Sequence, residues 1–409
     1  MVQQVNFFND LRDEQLSGVA FKNFELKKNI IGYFATAGNA TIPELVKELN
    51  LSPPKVTLLL NELITDGMVQ DYGKIDSTGG RRPSLYGLTP DSGFFLGIEV
   101  KRSYINIGLL DFKKNFIKFI EKIPYQLKNS QESLDELCSI INNIIRDLPV
   151  PKIKILGLGL NMTGRINNET GYSYSFFHFH EEPLSKIIEA AVGIKTFVEN
   201  DSRAMAYGEF CSDMVTEEKN ILFINIDEGI GLGILVNGHL YYGKSGYAGE
   251  FGHIPIFDND ILCHCGKKGC LETEASGNAL VRKFRQKISE GLSSSILNIV
   301  KKPEEITLEH IIEAAMNDDT LAIELIAATS EKLGRGVALL INLFNPELII
   351  LGGALASTTD YITLPMKSSI KKYSLSILNN DTRFKLSRLK EKAGVIGACL
   401  LVRNKLISI

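Results

Sequence analysis

Apolar residues return at helical spacing in three short stretches near the start of the chain: "ELKKNIIGYFATA" (25–37), "TIPELVKELN" (41–50) and "LSPPKVTLLLNELITDGMVQ" (51–70). Gly38 stops the first. Thr41 is placed to cap the second, with Pro43 in its first turn. Ser52 is placed to cap the third, which opens on two prolines where missing N–H groups cost least, and Gly67 ends it. The period then drops to two in "MVQDYGKID" and "RRPSLYGLT", around the polar turn "STGG". Three helices with a tight link between the second and third, followed by a hairpin, form a winged helix-turn-helix pattern. The same spacing also suits a small helical subdomain packed on a larger one.

From residue 93 the pattern changes. "GFFLGIEVKRSYINIGLLDF" (93–112) reads as two strands meeting near Lys101. The apolar runs "ILGLGLN", "KTFVEND", "NILFINIDEGIGLGILVNG" and "LIILGG" follow, each ending in glycine or polar residues. Between them lie helical stretches at 131–147, 183–191, 202–212, 274–290, 307–316 and 319–343. Such alternation predicts an α/β fold, whose strand-end turns are where ligands bind. Taken singly, "DEGIGLG" and "LGGALA" read equally well as tight connections with no ligand.

Composition narrows the class. The 409 residues are 44% hydrophobic and 23% charged, with a net charge of −3. DNA contact therefore depends on a local patch. The third helix presents Ser52, Lys55, Thr57 and Asn61, groups able to meet base edges or phosphates. The wing adds Lys74, Arg81 and Arg82; the arginine pair before Pro83 suits a minor groove or phosphates. Glu62, Asp66, Asp71 and Asp76 lie nearby, so one copy binds weakly and a dimer reading two half-sites is expected. No apolar run approaches the roughly 20 residues a membrane span needs, "VALLINLF" being far too short, and the start carries charges where a signal peptide needs apolar residues. The chain is expected to be cytoplasmic, with no membrane partner.

In that compartment clustered cysteines favour metal over disulfide. Cys263, Cys265 and Cys270 form Cys-x-Cys-x4-Cys, three of the six cysteines in the chain; Cys138, Cys211 and Cys399 are expected to be small core residues. A tetrahedral zinc site wants a fourth ligand. His264 stands between two ligands and is expected to point away, which favours His253 after a glycine-rich approach. Unmetallated thiols are the competing reading. A Cys3His set has no open position, so such a Zn2+ is structural and does not imply catalysis.

At this point the motifs "ENDSRAMAYGE" (199–209), "GYAGEFGH" (246–253), "CHCGKKGCLE" (263–272) and "NLFNPELIILGGA" (342–354) converge. With "LSPPKVTLLLNELITDGMV" and "GGRRPSLYGLTP", the chain resembles the ROK family (repressors, open reading frames, kinases), in its transcriptional-repressor branch, over nearly its whole length. The resemblance implies a winged helix-turn-helix at 1–90. It implies a two-lobed actin-like domain behind it, with lobes at 91–198 and 199–390 and a helix at 391–405 returning to the first. It implies a homodimer or tetramer, and a sugar or sugar-phosphate effector held by Asn200, Asp201, Glu250, His253 and Glu272. Carboxylates and an amide suit vicinal hydroxyls. His253 is expected to face zinc with one ring nitrogen and sugar with the other.

Whether the chain phosphorylates sugar turns on two loops. The family's first phosphate turn reads Asp-x-Gly-Gly-Thr; here Glu99, Val100, Lys101, Arg102 and Ser103 stand there. Long side chains in place of both glycines keep the backbone from approaching a phosphate. The second turn, normally Gly-Thr-Gly, reads Asp227-Glu228-Gly229, two carboxylates where a polyphosphate would lie. Lys101 and Arg102 are expected to pair with those acids. Asp201 would be the base in a kinase, yet it is also a sugar ligand. Where active relatives have Gly-x-Pro-Gly, this chain has Asn161, Thr163 and Gly164 and then an aromatic insert, read as a lid or oligomer surface. The expectation is a sugar-responsive regulator of carbohydrate-utilisation genes, without kinase activity, that binds double-stranded operator DNA. In it, sugar binding between the lobes alters the spacing of paired DNA-binding modules. An active ATP-dependent hexose kinase carrying a DNA-binding domain is the rival, and a scaffold that binds another protein the third reading.

Overall fold

The structure is a computed structural model that describes residues 7–11, 16–74, 83–212 and 214–407. The chain forms two compact units: residues up to Asp201 together with Gly394 onward, and Ser202–Ala393.

The first unit opens with α1 (Phe7–Asp10) and α2 (Gly18–Ala37), followed by β1 (Ala40–Thr41), α3 (Ile42–Leu49) and α4 (Pro53–Thr65). The caps follow from local chemistry. The Glu44 carboxylate accepts from the Thr41 N–H at 2.7 Å and from its hydroxyl at 2.8 Å. Gly38 ends α2 in a backbone conformation with φ 88°. β2 (Val69–Lys74) and β3 (Ser84–Leu88) pair antiparallel, and β1 joins on the far side of β3. These are winged-helix elements. Two acids at the C-terminal end of α4 are engaged within the fold: Glu62 pairs with the buried Lys27 at 2.9 Å, and Asp66 accepts the Phe7 N–H at 2.9 Å.

The same unit continues with β4 (Phe94–Val100), β5 (Tyr104–Asp111), β6 (Phe116–Pro124), α5 (Gln131–Arg146), β7 (Ile155–Met162), the short pair β8 (Ile166–Asn167) and β9 (Tyr172–Ser173), α6 (Leu184–Val192) and β10 (Thr196–Asn200). The five-stranded sheet has the order β10-β7-β4-β5-β6, with β4–β6 antiparallel and β7 and β10 parallel to β4. β4 and β7 are buried along their whole length, which is why they read as continuous apolar runs. The C-terminal helix of the chain, running over Ala393–Ile407, supplies Cys399, Val402, Leu406 and Ile407 to one hydrophobic cluster. That cluster also holds Phe24, Leu45, Leu59, Leu63 and Leu88 of the winged-helix elements and Phe95 and Phe112 of the sheet. Of the isolated cysteines Cys399 is fully buried, Cys138 is half-buried and packs against the core of the five-stranded sheet, and Cys211 is half-buried.

The second unit follows α7 (Asp201–Phe210) with β11 (Ile221–Ile226), β12 (Ile230–Val236) and β13 (His239–Leu240). An irregular stretch then leads to α8 (Glu272–Ala275), α9 (Gly277–Ser289), α10 (Leu308–Met316), α11 (Thr320–Phe344), β14 (Leu348–Gly352), α12 (Asp360–Tyr373), α13 (Ser376–Asp381) and β15 (Arg383–Leu386); the C-terminal helix is α14. Its sheet runs β13-β12-β11-β14-β15. Three antiparallel strands and two parallel ones repeat the plan of the first sheet, the duplicated pattern of an actin-like fold. Among the described residues no helix is long and apolar enough to cross a membrane.

Candidate metal and ligand site

The cysteine loop is built on short backbone ties. Cys270 pairs with Pro255, and Leu262 with Lys268, as isolated antiparallel bridges. The Leu271 N–H donates to Ile254 O at 2.9 Å and the Phe257 N–H to Gly269 O at 3.1 Å. Gly269 has φ 74°, and a Cβ there would sit 2.2 Å from Phe257 O, so only glycine lets the two arms close. The result gathers His253, Cys263, Cys265 and Cys270, with donor atoms all within 4.8 Å of one another.

The spacing fits a tetrahedral ion. Zn–S near 2.3 Å and Zn–N near 2.0–2.1 Å imply S···S of about 3.8 Å and S···N of about 3.6 Å. Cys265 Sγ lies 3.7 Å from Cys270 Sγ, and Cys263 Sγ lies 3.5 Å from His253 Nδ1. Burial, and next the neighbouring Cys265 thiol, push the Cys270 thiol up to about 12; burial also leads the upward shift of Cys263. Close-set buried thiols of this kind ionise when a cation sits among them. Such an ion supplies a cross-link between the arms, not a reacting group.

His253 has two faces. Its Nδ1 looks at Cys263, and its Nε2 lies 3.6 Å from Glu250 Oε2. His264 lies outside that set of four donors: its Nδ1 lies 2.9 Å from Glu272 Oε1, and its ring stands edge-on to His253 with centroids 5.0 Å apart. The cause is the tight turn from Cys263 to Lys267, closed by N–H···O bonds of 2.8 and 2.9 Å. Glu250, His253, His264 and Glu272 thus lie in one row.

Asn200 and Asp201 belong to the first unit, at the junction of β10 and α7. The Asn200 amide donates to Gly164 O at 3.1 Å and to Asp201 Oδ1 at 2.9 Å. The insert after Gly164 walls a cavity of about 220 Å³ lined by Tyr172, Tyr174, Phe177, His178, His180 and Glu182. Arg203, two residues past Asp201, was not singled out from sequence. It donates to Gly246 O at 2.8 Å and covers the Tyr242 ring, bracing the loop that leads to Glu250. An arginine inside the "ENDSRAMAYGE" motif was the available signal.

At the turn between β4 and β5, Lys101 lies 3.5 Å from Glu99, whose buried carboxylate also accepts from Asn106 at 2.9 Å. At the turn between β11 and β12, backbone N–H groups meet carboxylates. Glu228 N–H donates to Asp227 Oδ1 at 3.1 Å, and Ile230 N–H to Glu272 Oε2 at 3.1 Å.

Of the residues expected at DNA, Ser52, Thr57, Asn61 and Lys74 are exposed. The Thr57 hydroxyl donates to its own helix at Pro53 O, and Lys55 is tied to Asn23 of α2 at 2.6 Å. Arg81, Arg82 and Asp76 lie outside the described residues.

A winged helix ahead of a duplicated actin-like fold carrying a Cys3His loop defines a class of sugar-kinase-related proteins. The ROK family model matches residues 95–405, and the chain belongs to the ROK family. It is 29% identical over 376 residues to a putative xylose repressor of Caldicellulosiruptor sp. (strain Rt8B.4), covering 91% of this chain and 93% of the relative. The crystal structure of a ROK family transcriptional regulator, a homolog of the E. coli MLC protein, superposes with a TM-score of 0.78 at 26% identity, covering 94% of this chain and 97% of that one. A ROK family glucokinase from Streptomyces griseus, in complex with glucose and AMPPNP, gives a TM-score of 0.68 at 26% identity; it covers 76% of this chain and 100% of its own.

Proposed function

We propose that this chain is a sugar-responsive transcriptional repressor of carbohydrate-utilisation genes, working in the cytoplasm as a homodimer or tetramer on double-stranded operator DNA. The observation that carries the reading is the winged helix sharing a hydrophobic cluster with a kinase-type lobe. Similarity to a regulator runs the length of the chain, whereas the glucokinase matches 76% of it. Asn200, Asp201, Glu250, His253 and Glu272 are the proposed sugar ligands, and His253, Cys263, Cys265 and Cys270 hold a structural Zn2+. Ser52, Lys55, Thr57, Asn61, Lys74, Arg81 and Arg82 are the proposed DNA contacts. Lys55 has donors to spare beyond its bond to Asn23.

The altered turns support a chain without kinase activity. N–H groups that a nucleotide phosphate would draw on, at Glu228 and Ile230, already donate to carboxylates. Lys101 and Arg102 occupy the positions of the family's phosphate-turn glycines. Effector binding then changes operator affinity through linkage, by about 1–3 kcal/mol in typical systems.

The test pairs two assays on full-length protein. A thermal-shift panel of pentoses, hexoses, N-acetylhexosamines and their phosphates is expected to single out an effector that also alters operator binding in a gel-shift assay. A coupled ATPase assay with the same panel is expected to show no sugar-dependent turnover. Turnover would establish the kinase reading instead. No sugar response at all would favour the scaffold.

A further inference from the structure

We infer that His264 is a positioning residue: its ring holds the Glu272 carboxylate in the orientation that meets the effector, so the cysteine loop sets effector affinity. The inference rests on the effector reading above. His264 is flanked by Cys263 and Cys265, so a single ion bound to both neighbours fixes its backbone from either side. The tight turn carries the ring over the start of α8, with Nδ1 2.9 Å from Glu272 Oε1.

The other carboxylate oxygen is also held. Glu272 Oε2 accepts the Ile230 N–H at 3.1 Å, and a Cβ on Gly229 would come within 2.8 Å of it. The carboxylate is therefore wedged against bare backbone on one side and gripped by an imidazole on the other. A glutamate has three side-chain torsions, and ordering them before the ligand arrives removes that cost from binding. The His264 side chain is itself 65% exposed. Its contact with Glu272 is thus an interaction at the surface of the loop rather than packing beneath it, and removing it leaves the fold intact.

The experiment uses zinc-loaded full-length protein and titration calorimetry with D-xylose, D-glucose and N-acetyl-D-glucosamine, following whichever binds the wild type most tightly. His264→Ala is expected to weaken that sugar about tenfold, the scale of losing a hydrogen bond to a charged group. Zinc stays at one per chain, and the melting temperature without sugar moves by no more than about 2 °C. His264→Asn places an N–H donor where Nδ1 stood and is expected to recover most of the affinity. The double variant with Glu272→Ala is expected to bind no worse than Glu272→Ala alone, since both act through one carboxylate. Unchanged affinity in His264→Ala overturns the inference; so does loss of zinc, which would make His264 a ligand. If no sugar binds the wild type, the effector reading fails. The contact is then judged by 15N NMR of the His264 ring, whose shifts must change in Glu272→Gln.

Discussion

The two groups of proposed effector residues are held by different means. Asn200 and Asp201 sit where a buried parallel strand runs into a helix, tied to a neighbouring loop by a hydrogen bond from the Asn200 amide to Gly164 O. Glu250, His253 and Glu272 sit at the ends of a stretch with scarcely any regular structure, closed by two lone bridges and a Cys3His cluster. Regular structure fixes the first group through its own ladder of hydrogen bonds. The second needs a cross-link. The lesson is that ligand groups of one fold differ in what can dislodge them.

The sharpest way to break the symmetry is Cys265→Ser. Structural zinc contributes roughly 10–16 kcal/mol to small peptide sites, so a lost ligand is expected to release the loop. Zinc by mass spectrometry should fall toward zero and the sugar-induced thermal shift should vanish, while operator binding by the winged helix persists. Retention of a full sugar response would show that the loop orders itself without metal.

Next comes the brace under the loop. Glu274 accepts from Asn259 at 2.9 Å and is paired with Lys283 at 2.8 Å and with Lys332. Burial works to raise its pKa, but the two ammonium groups hold it down to about 2. Glu274→Gln is expected to cost roughly 1–3 kcal/mol in urea denaturation, because the half-buried Lys283 and Lys332 lose a charged hydrogen-bond partner. The sign of the pH effect follows. A folded value below the ordinary 4.5 means stability that is full above 4.5 and lost as pH falls from there toward 2. The stability gap between wild type and Glu274→Gln should therefore narrow across that window.

Asp201→Asn probes the group held by regular structure. Sugar affinity is expected to drop about 10- to 100-fold, the range for a hydrogen bond to a charged group. The melting temperature without sugar should move by less than about 2 °C, because β10 and α7 remain. The smallest effect is expected from Lys74→Ala, which touches neither group. Operator affinity should fall a few-fold, and the slope of log affinity against log salt should drop by about 1. Sugar binding should be unaltered.

Much of this was legible along the chain. Thr41 three residues before Glu44, prolines after Ser52 and glycine after Ala37 are local signals, and the helices they mark are present. The gathering of His253 with the cysteines followed from ligand chemistry. What escaped depends on partners distant in sequence or on broken local rules. β6, "FIKFIEKIP", is an edge strand whose charged residues interrupt a buried apolar pattern, so its strand character does not show in the sequence. α12 carries Pro365 inside it, a residue that ordinarily argues against a helix. Glu62 and Asp66 looked like obstacles to DNA until Lys27 and the Phe7 N–H claimed them. The contact of His264 with Glu272 was not legible, because the fold of a five-residue turn, not its spacing, decides where the ring goes.

One last consequence concerns Leu88, Phe95 and Leu406. A winged helix whose apolar floor is laid partly by the other end of the polypeptide is no bead on a string. Clipping the chain near residue 90, or shaving off its final helix, would strip both fragments of shared lining. The winged helix should melt together with the lobe beneath it in a single calorimetric transition, and swapping it onto a foreign lobe would demand that this seam be recut.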